Sequence, residues 1–344
     1  MKTRTLIGTL ALLAALPLAG CGGGGSSGGS GESKVLVGAG STLVAPLVAQ
    51  WSSDYAKKTG VTVTYGSIGS GGGIAQITAR TVDFGASDAP LTSDQASACK
   101  DCVQVPWALG ATLASYNLKG APAKLRLSGP VLADIFLGKI THWDDPAIAK
   151  LNSGATLPAT VITPVYRSDG SGDTYAFSDF LSKVSPEWKS KLGVSTQVSF
   201  PKGIGGKGND GVAAVVGRQN GAIGYLGISY VFGNELNYAL IQNAAGNYPV
   251  PGPGTITAAA DSITTIPSDN AISITDPPAS AKDAYPISTF TYAIFPTTSG
   301  KAKTLHDFVT YAIGPGQAFG EKLQFAPLPA TVVSAAKQTL AKLN

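Results

Sequence analysis

The sequence predicts an α/β protein built on a doubly wound sheet, and three observations carry the prediction. Three successive β-type segments end in small polar residues, at 38–42, 66–73 and 83–90, and helical patterns follow the first two. The carboxyl ends of parallel strands meet at one edge of such a sheet, where ligands bind. A chain of 344 residues, 44 % of them hydrophobic, can bury a large core, and its length favours two domains.

The first 20 residues have the pattern of a secretory signal. Lys2 and Arg4 precede an apolar run at 6–18, and small residues lead into Cys21. The alternative is a membrane anchor, but the run is shorter than the ~20 residues of a spanning helix. The pattern resembles that of bacterial lipoproteins, which implies cleavage before Cys21 and lipidation of its sulfur. Residues 21–33 are rich in Gly and Ser and predict a tether outside any core.

Charge and cysteine usage exclude some functions. Without the two basic residues of the signal, 23 basic residues face 21 acidic ones, which gives no basic stripe for nucleic acid. Cys99 and Cys102 predict a small-loop disulfide in an exported protein, and a redox-active pair is the alternative. The two histidines, His142 and His306, have no partner with metal-ligand spacing, so no metal site or cofactor is predicted.

The elements follow in order from hydrophobic periodicity. Strands are predicted at 35–37, 61–65, 83–87, 108–116, 161–166, 194–200, 221–226 and 287–295, with 194–200 at an edge. Helices are predicted to start near 43, 74, 128, 174, 212, 257, 302 and 330. Segment 243–285 is rich in Pro, Gly, Ser and Asp and is predicted to be the least regular part. No internal repeat is evident.

Segment 167–174 has the residues of an oxyanion site. A guanidinium, small hydroxyls and two glycines directly precede a helical pattern, so backbone N–H groups and the helix dipole can converge on one point. The alternative is an ordinary capped helix start. Asp88 would repel an anion unless the ligand donates a proton to it, or it may instead cap a loop or pair with Arg167. No G-x-S-x-G elbow or general base points to an enzyme.

Several motifs, in order and spacing, resemble the phosphate-binding, PstS-type lipoproteins of bacterial phosphate ABC transporters. The motifs are 38–42, 69–72, 81–90, 137–140, 167–172, 205–211 and 220–225, and the resemblance covers nearly the whole chain after the tether. It implies a two-lobed periplasmic-binding-protein fold, with two doubly wound α/β domains joined by crossing strands and phosphate in the cleft. Lobe one would comprise 34–108 and 286–344, and lobe two 109–285.

The resemblance also implies the site and the partners. Phosphate would contact Thr42, the Leu43 amide, Ser70, Asp88, Arg167, Ser171, the Gly172 amide and the residue at 173. Asp169 would pair with Arg167. The protein would be a monomer, tethered by Cys21 to the extracytoplasmic side of the membrane, that hands phosphate to an ABC permease. A receptor for another tetrahedral oxyanion, an extracellular phosphatase and a ligand-free signalling lipoprotein are the alternatives.

Two positions depart from the family pattern. Asp173 stands where many members have threonine, and Leu43 replaces a frequent aromatic residue. If the Asp173 carboxylate faces the ligand, the site has two acidic acceptors and should favour the more protonated monoanion. If only its amide faces the ligand, nothing changes.

Overall fold

The computed structural model describes residues 34–122 and 124–343. Its strands are β1 (Val35–Gly40), β2 (Thr62–Ser67), β3 (Phe84–Ser87), β4 (Cys102–Tyr116), β5 (Arg126–Leu127), β6 (Thr163–Arg167), β7 (Ile204–Gly206), β8 (Ala222–Gly227), β9 (Asn237–Tyr238), β10 (Leu240–Ile241) and β11 (Ser288–Pro296). Its α-helices are α1 (Ala45–Thr59), α2 (Ser70–Thr78), α3 (Ser93–Cys99), α4 (Gly129–Phe136), α5 (Pro146–Leu151), α6 (Gly172–Val184), α7 (Pro186–Lys191), α8 (Gly208–Arg218), α9 (Ile228–Gly233), α10 (Pro253–Ala260), α11 (Ala302–Ile313) and α12 (Ala330–Leu340). Short 3₁₀ helices lie at Pro315–Phe319 and Glu321–Leu323.

The strands form a sheet with two parallel halves and an antiparallel centre. The order is β2-β1-β3-β11-β4-β8-β6-β7, with β9 also beside β4. Strands β1, β2 and β3 are mutually parallel, as are β6, β7 and β8, whereas β11 and β4 run antiparallel to their neighbours. Because helices separate the parallel strands along the chain, each half is a doubly wound α/β unit. The predicted fold class is confirmed.

Strand β4 crosses from one half to the other. Its first part, up to Ala111, pairs with β11, and its last part, from Thr112, pairs with β8. All but the first two of its fifteen residues are buried, which explains its nearly continuous apolar sequence. One strand therefore belongs to both units, and the units meet along it.

Each half has its own aromatic core. Trp107 of β4 packs edge-on against Trp51 of α1, with ring centroids 5.2 Å apart, and both are buried. In the other half, Phe177 of α6 stacks on Tyr225 of β8 at 4.4 Å. Such pairs contribute ~0.5–1.5 kcal/mol each beyond their buried area. They fix α1 and α6 against the sheet, and α6 begins at the arginine segment.

Most predicted elements are present, with one clear error. Residues 194–200 are a loop rather than an edge strand, and β7 occupies the edge instead. The loop is held by a hydrogen bond from the Ser171 amide to the Thr196 carbonyl (2.9 Å) and by Phe200, which stacks on Tyr166. These contacts hold the segment as a loop, and β7 pairs with β6 in its place. Helices α2, α8 and α10 also start four residues earlier than predicted, at Ser70, Gly208 and Pro253.

The predicted disulfide joins Cys99, at the end of α3, to Cys102, at the start of β4. The predicted signal, Cys21 and the tether lie outside the described residues. Within the described part, no helix is both long and apolar enough to cross a bilayer.

Candidate anion-binding site

The predicted site residues gather at the carboxyl ends of the parallel strands of both halves. Ser41 and Thr42 follow β1, Asp88 follows β3, and Arg167 ends β6. Helices α2 and α6 begin beside these strand ends, one in each half, at Ser70 and Gly172. The right-handed βα connections place their N-termini, with their free N–H groups, beside the strand ends.

Asp88 is the carboxylate at the centre of this group. Its side chain is 1 % exposed. The Ser41 hydroxyl donates to it, lying 2.6 Å from Oδ1 and 2.7 Å from Oδ2, and the Ser70 hydroxyl lies 3.4 Å from Oδ2. No basic side chain within the described ranges forms an ion pair with Asp88. The structure therefore does not show Asp88 in its alternative role, as an ion-pair partner of Arg167.

Burial and a neighbouring negative charge both favour the protonated form of Asp88. Burial in a dry site and the carboxylate of Asp173 raise the pKa of Asp88 to about 8, against the opposing hydrogen bond from Ser41. A carboxyl group with this pKa exchanges its proton near neutral pH. It can accept a hydrogen bond from an acidic ligand when ionised and can donate one when protonated.

We expect the closed arrangement, in the absence of ligand, to lose stability as pH rises from about 4 towards 8, because the burial that raises the pKa of Asp88 belongs to the closed cleft. The folded state keeps a proton on Asp88 across this range, while the unfolded state, with an ordinary pKa near 3.8, has lost it. The contribution of Asp88 to stability is complete below its pKa in the unfolded state. It disappears as pH rises through its pKa in the folded state. Between pH 5 and 8, wild type should lose at least ~1 kcal/mol, or about 2 °C in Tm, more than Asp88→Asn. Thermal unfolding of both proteins tests this, and equal losses would contradict it.

Arg167 is the cation of the site and is held by two carboxylates. Its Nε and Nη2 donate to Asp169 Oδ1 and Oδ2 at 2.8 and 2.6 Å, and its Nη1 donates to Asp173 Oδ2 at 2.9 Å. The Arg167 side chain is 1 % exposed. Burial opposes the ionisation of Asp169, yet the hydrogen bonds from Arg167 hold the pKa of Asp169 below its ordinary value. The bidentate pair fixes the guanidinium plane and leaves one N–H on each Nη nitrogen for a further acceptor.

The Asp173 carboxylate points into the site. Besides Arg167, it accepts from Asn209 Nδ2 at 2.8 Å and from the Thr112 hydroxyl at 2.8 Å. It is fully buried, and burial raises its pKa despite the charge of Arg167. Three carboxylates thus surround one guanidinium, with a net charge of −2 if all are ionised. This negative charge should favour an anion that carries a proton.

The two halves touch each other through the site. Asn209 of α8 donates to the Thr42 hydroxyl at 2.8 Å, and Tyr230 of α9 donates to the Thr42 carbonyl at 2.9 Å. The amide of Gly172 donates to Ser70 Oγ at 3.0 Å. All of these atoms except the half-buried Tyr230 lie on buried residues. The structure therefore shows the cleft in its closed arrangement.

A close approach between the halves requires a glycine at 172. A Cβ on Gly172 would lie 2.4 Å from Asp88 Cβ and 2.4 Å from Asp88 Oδ2, far inside contact distance. On the other side of the site, Gly69 has φ of 89° where it caps α2, in the region that favours glycine. The glycines of both motifs thus serve geometry that larger residues cannot reproduce.

The remaining predicted residues also lie here. The hydroxyl of Ser171 accepts from the Thr174 amide at 3.2 Å and caps α6, so the capped-helix interpretation holds alongside the site. Leu43 is buried beside Gly110 and Gly227. A larger residue at either glycine position would crowd the Leu43 side chain. The ligand contacts of all these residues stay predictions.

Sequence reasoning missed Ser41, Thr112 and Asn209 as members of this group. Ser41 and Asn209 lie inside recognised glycine-rich motifs, so a count of small polar residues in each motif could have found them. In the same loop as Asn209, which is buried, Lys207 is exposed. Thr112 stands in an apolar strand and gives no signal in the sequence.

The arrangement can bind an anion, and it holds little for catalysis. Its groups are hydroxyls, amide N–H donors, one guanidinium and carboxylates, and His142 and His306 lie on other parts of the surface. Within residues 34–122 and 124–343, no cluster of three or more metal-ligating side chains is found.

Comparison with known protein families gives a match over most of the chain. Residues 25–315 match the model of the PBP superfamily domain. The chain is 44 % identical over 307 residues to the phosphate-binding protein PstS of Xylella fastidiosa strain Temecula1, covering 88 % of this chain and 84 % of that protein. It is 41 % identical over 306 residues to the PstS protein of Pasteurella multocida strain Pm70, covering 88 % of each.

A solved structure has the same fold. The crystal structure of a phosphate-binding protein from Stenotrophomonas maltophilia superimposes with a TM-score of 0.70, covering 88 % of this chain and 93 % of that chain. The two sequences are 20 % identical, so the likeness concerns the fold.

Proposed function

This chain belongs to the PstS-type phosphate-binding proteins of the PBP superfamily, and we propose that it binds inorganic phosphate in the cleft between its two lobes. It delivers the bound phosphate to the permease of an ABC transporter for uptake. The observation that carries this function is the 44 % identity that extends over 88 % of this chain and 84 % of a phosphate-binding relative.

The site geometry supports phosphate as the ligand. Asp88 supplies an acceptor for a ligand O–H, and Arg167, with one free N–H on each Nη nitrogen, supplies charge-assisted donors. The hydroxyls of Thr42, Ser70 and Ser171 and the amides of Leu43, Gly172 and Asp173 would complete the shell. A tetrahedral oxyanion that carries a proton satisfies both kinds of group, whereas a fully deprotonated one leaves the ionised Asp88 carboxylate without a donor.

We also propose the two lobes and the cellular location that the family resemblance implies. Lobe one comprises 34–108 and 286–344 and lobe two 109–285, with β4 and β11 at the crossing. Phosphate would shift the population from an open to the closed cleft, since only the closed one brings Ser70 and Gly172 together. Residues 1–20 are a cleaved signal, and lipidated Cys21 with the tether holds the monomer at the extracytoplasmic face of the membrane. The protein binds phosphate without transforming it.

Isothermal titration calorimetry on the chain without residues 1–21, dialysed free of phosphate, tests this function. One phosphate per chain with micromolar or tighter affinity is expected, and a null titration of protein that melts cooperatively would reject the proposal. Incubation with nitrophenyl phosphate should release no phosphate. Release that is lost in Asp88→Leu would favour the phosphatase alternative.

Phosphate affinity should weaken as pH rises above 7, and Asp173 should be a cause. Because its carboxylate adds a negative charge beside Asp88 and Arg167, the closed complex is favoured when the ligand or a carboxyl group keeps a proton. Proton linkage limits the loss of phosphate affinity to about tenfold per pH unit for each proton taken up on binding. Calorimetric titration of wild type and Asp173→Thr at pH 6 and pH 8 measures this loss. We expect a smaller pH response in the variant, and identical responses would remove Asp173 from the explanation.

A further inference from the structure

The Cys99–Cys102 disulfide lies against a guanidinium that holds both sulfurs. Arg80 Nη1 lies 3.4 Å from Cys99 Sγ and 3.2 Å from Cys102 Sγ. The same side chain donates to three carbonyls, those of Ile77, Cys99 and Lys100, at 2.6–2.8 Å. These bonds fix the guanidinium in place, at the point where α3 ends and β4 begins.

Arg80 has no carboxylate to neutralise it. Its partners are carbonyl oxygens and sulfur atoms, and among the described residues no acidic side chain lies within ion-pair distance of it. A disulfide sulfur is a weak, neutral acceptor, whereas a thiolate is an anion that a neighbouring arginine stabilises. The cation therefore has a better partner in the cleaved form of the bond than in the intact one.

A cavity of about 250 Å³ gives access to one side of the disulfide. Cys102 is among the residues that line it, with Ala96, Thr339, Asp269 and Lys342, whereas Cys99 is not. Cys99 is 1 % exposed, and Cys102 is half-buried. Asp269 and Lys342 bring one negative and one positive side chain to the cavity wall, which suits a small zwitterion. Cys102 is therefore the more accessible cysteine and Cys99 the sheltered one, and Arg80 is in contact with the sulfurs of both.

We propose that Cys99–Cys102 is a thiol–disulfide exchange site for small aminothiols, in which Cys102 is attacked and Arg80 stabilises the departing Cys99 thiolate. The thiolate of the aminothiol attacks Cys102 Sγ and forms a new S–S bond. The Cys99–Cys102 bond breaks, and its electron pair stays on Cys99 Sγ, within reach of Arg80 Nη1. A second aminothiol thiolate then attacks the aminothiol sulfur of this mixed disulfide. The bond to Cys102 breaks, and its electron pair leaves on Cys102 Sγ. The products are the aminothiol disulfide, oxidised by two electrons, and the reduced cysteine pair.

The first test asks which sulfur is attacked. The full chain with Cys21→Ser, which leaves Cys99 and Cys102 as its cysteines, is incubated under native conditions with cysteine and trapped with iodoacetamide. Peptide mass spectrometry should find the added cysteine on Cys102 and the alkyl group on Cys99. The reverse pattern, or an intact disulfide under conditions that exchange an accessible model disulfide, would overturn the proposal. This result does not depend on phosphate, so it is distinct from a failure of the proposed function.

The second test asks whether Arg80 sets the equilibrium. In cysteine/cystine buffers, Arg80→Gln should lower the equilibrium constant for reduction about tenfold, or about 30 mV for this two-electron couple. Arg218→Gln removes the same charge from an exposed turn of α8 and should leave the constant unchanged. Arg80→Lys keeps the charge, and its equilibrium constant for reduction should fall between those of wild type and Arg80→Gln. The lysine variant replaces the glutamine variant in the comparison if the latter does not fold. Equal constants in the folded Arg80 variants and wild type would contradict the role of Arg80.

Discussion

Asp88→Leu is expected to raise the Kd for phosphate at least ~100-fold. Leucine has a similar volume but no acceptor, so the O–H of the bound ligand and the hydroxyl of Ser41, now 2.6 Å from a carboxylate oxygen, would both lack a partner. Each unsatisfied buried group costs ~1–3 kcal/mol, and ~2.7 kcal/mol is a hundredfold in affinity. Calorimetric titration at pH 7 measures the change.

Two controls separate this loss from misfolding. Because burial already makes the Asp88 carboxylate unfavourable, the leucine variant should melt at or above the wild-type temperature at pH 8. Asp88→Asn keeps an oxygen acceptor and should retain measurable phosphate binding. Near-wild-type affinity in Asp88→Leu would show that this side chain does not recognise the ligand.

Gly172→Ala is expected to weaken phosphate binding about 10- to 100-fold by preventing closure, since overpacking of this kind costs ~1–3 kcal/mol. The added methyl would lie 2.4 Å from atoms of Asp88, on the opposite lobe, so the lobes cannot reach the closed arrangement without a shift. The backbone of Gly172 is already helical, in the first turn of α6, so alanine is not strained there. Titration calorimetry and small-angle scattering with phosphate measure affinity and closure.

The matched control for this variant is Gly254→Ala. Gly254 is also in the first turn of a helix, α10, but a Cβ there meets no atom within 4 Å. It should bind phosphate as wild type does. If Gly172→Ala closes on phosphate as wild type does, the contact between Gly172 and Asp88 is not what limits closure.

The sequence predicted the fold class from local pattern, and glycine density marked the loops that approach each other. The strand ends near Thr42 and Asp88 had to share an edge once β1 and β3 were parallel. Arg167 ends a strand of the other half, and its convergence with them was implied by the family resemblance. The disulfide followed from the spacing of Cys99 and Cys102 in the same way.

What the sequence could not give are contacts set by long-range packing. The Thr112 hydroxyl reaches Asp173 across 61 residues of chain, because β4 passes beneath α6 in the folded protein. Arg80 lies 19 and 22 residues from the two sulfurs that it contacts. The strand predicted at 194–200 is a loop because another segment, β7, pairs with β6 at that edge. In each case the tertiary partner decides the outcome, and no local preference reveals it.

Competition between phosphate and sulfate tests the central claim most directly, that an acidic side chain recognises the hydrogen of the anion. Wild-type protein is titrated with phosphate at pH 9, above the Asp88 pKa of about 8, in the absence and presence of a large excess of sulfate at constant ionic strength. Since sulfate has no proton to offer the ionised Asp88 at this pH, the phosphate Kd should not change. A rise in that Kd in the presence of sulfate would show that charge and shape alone select the ligand.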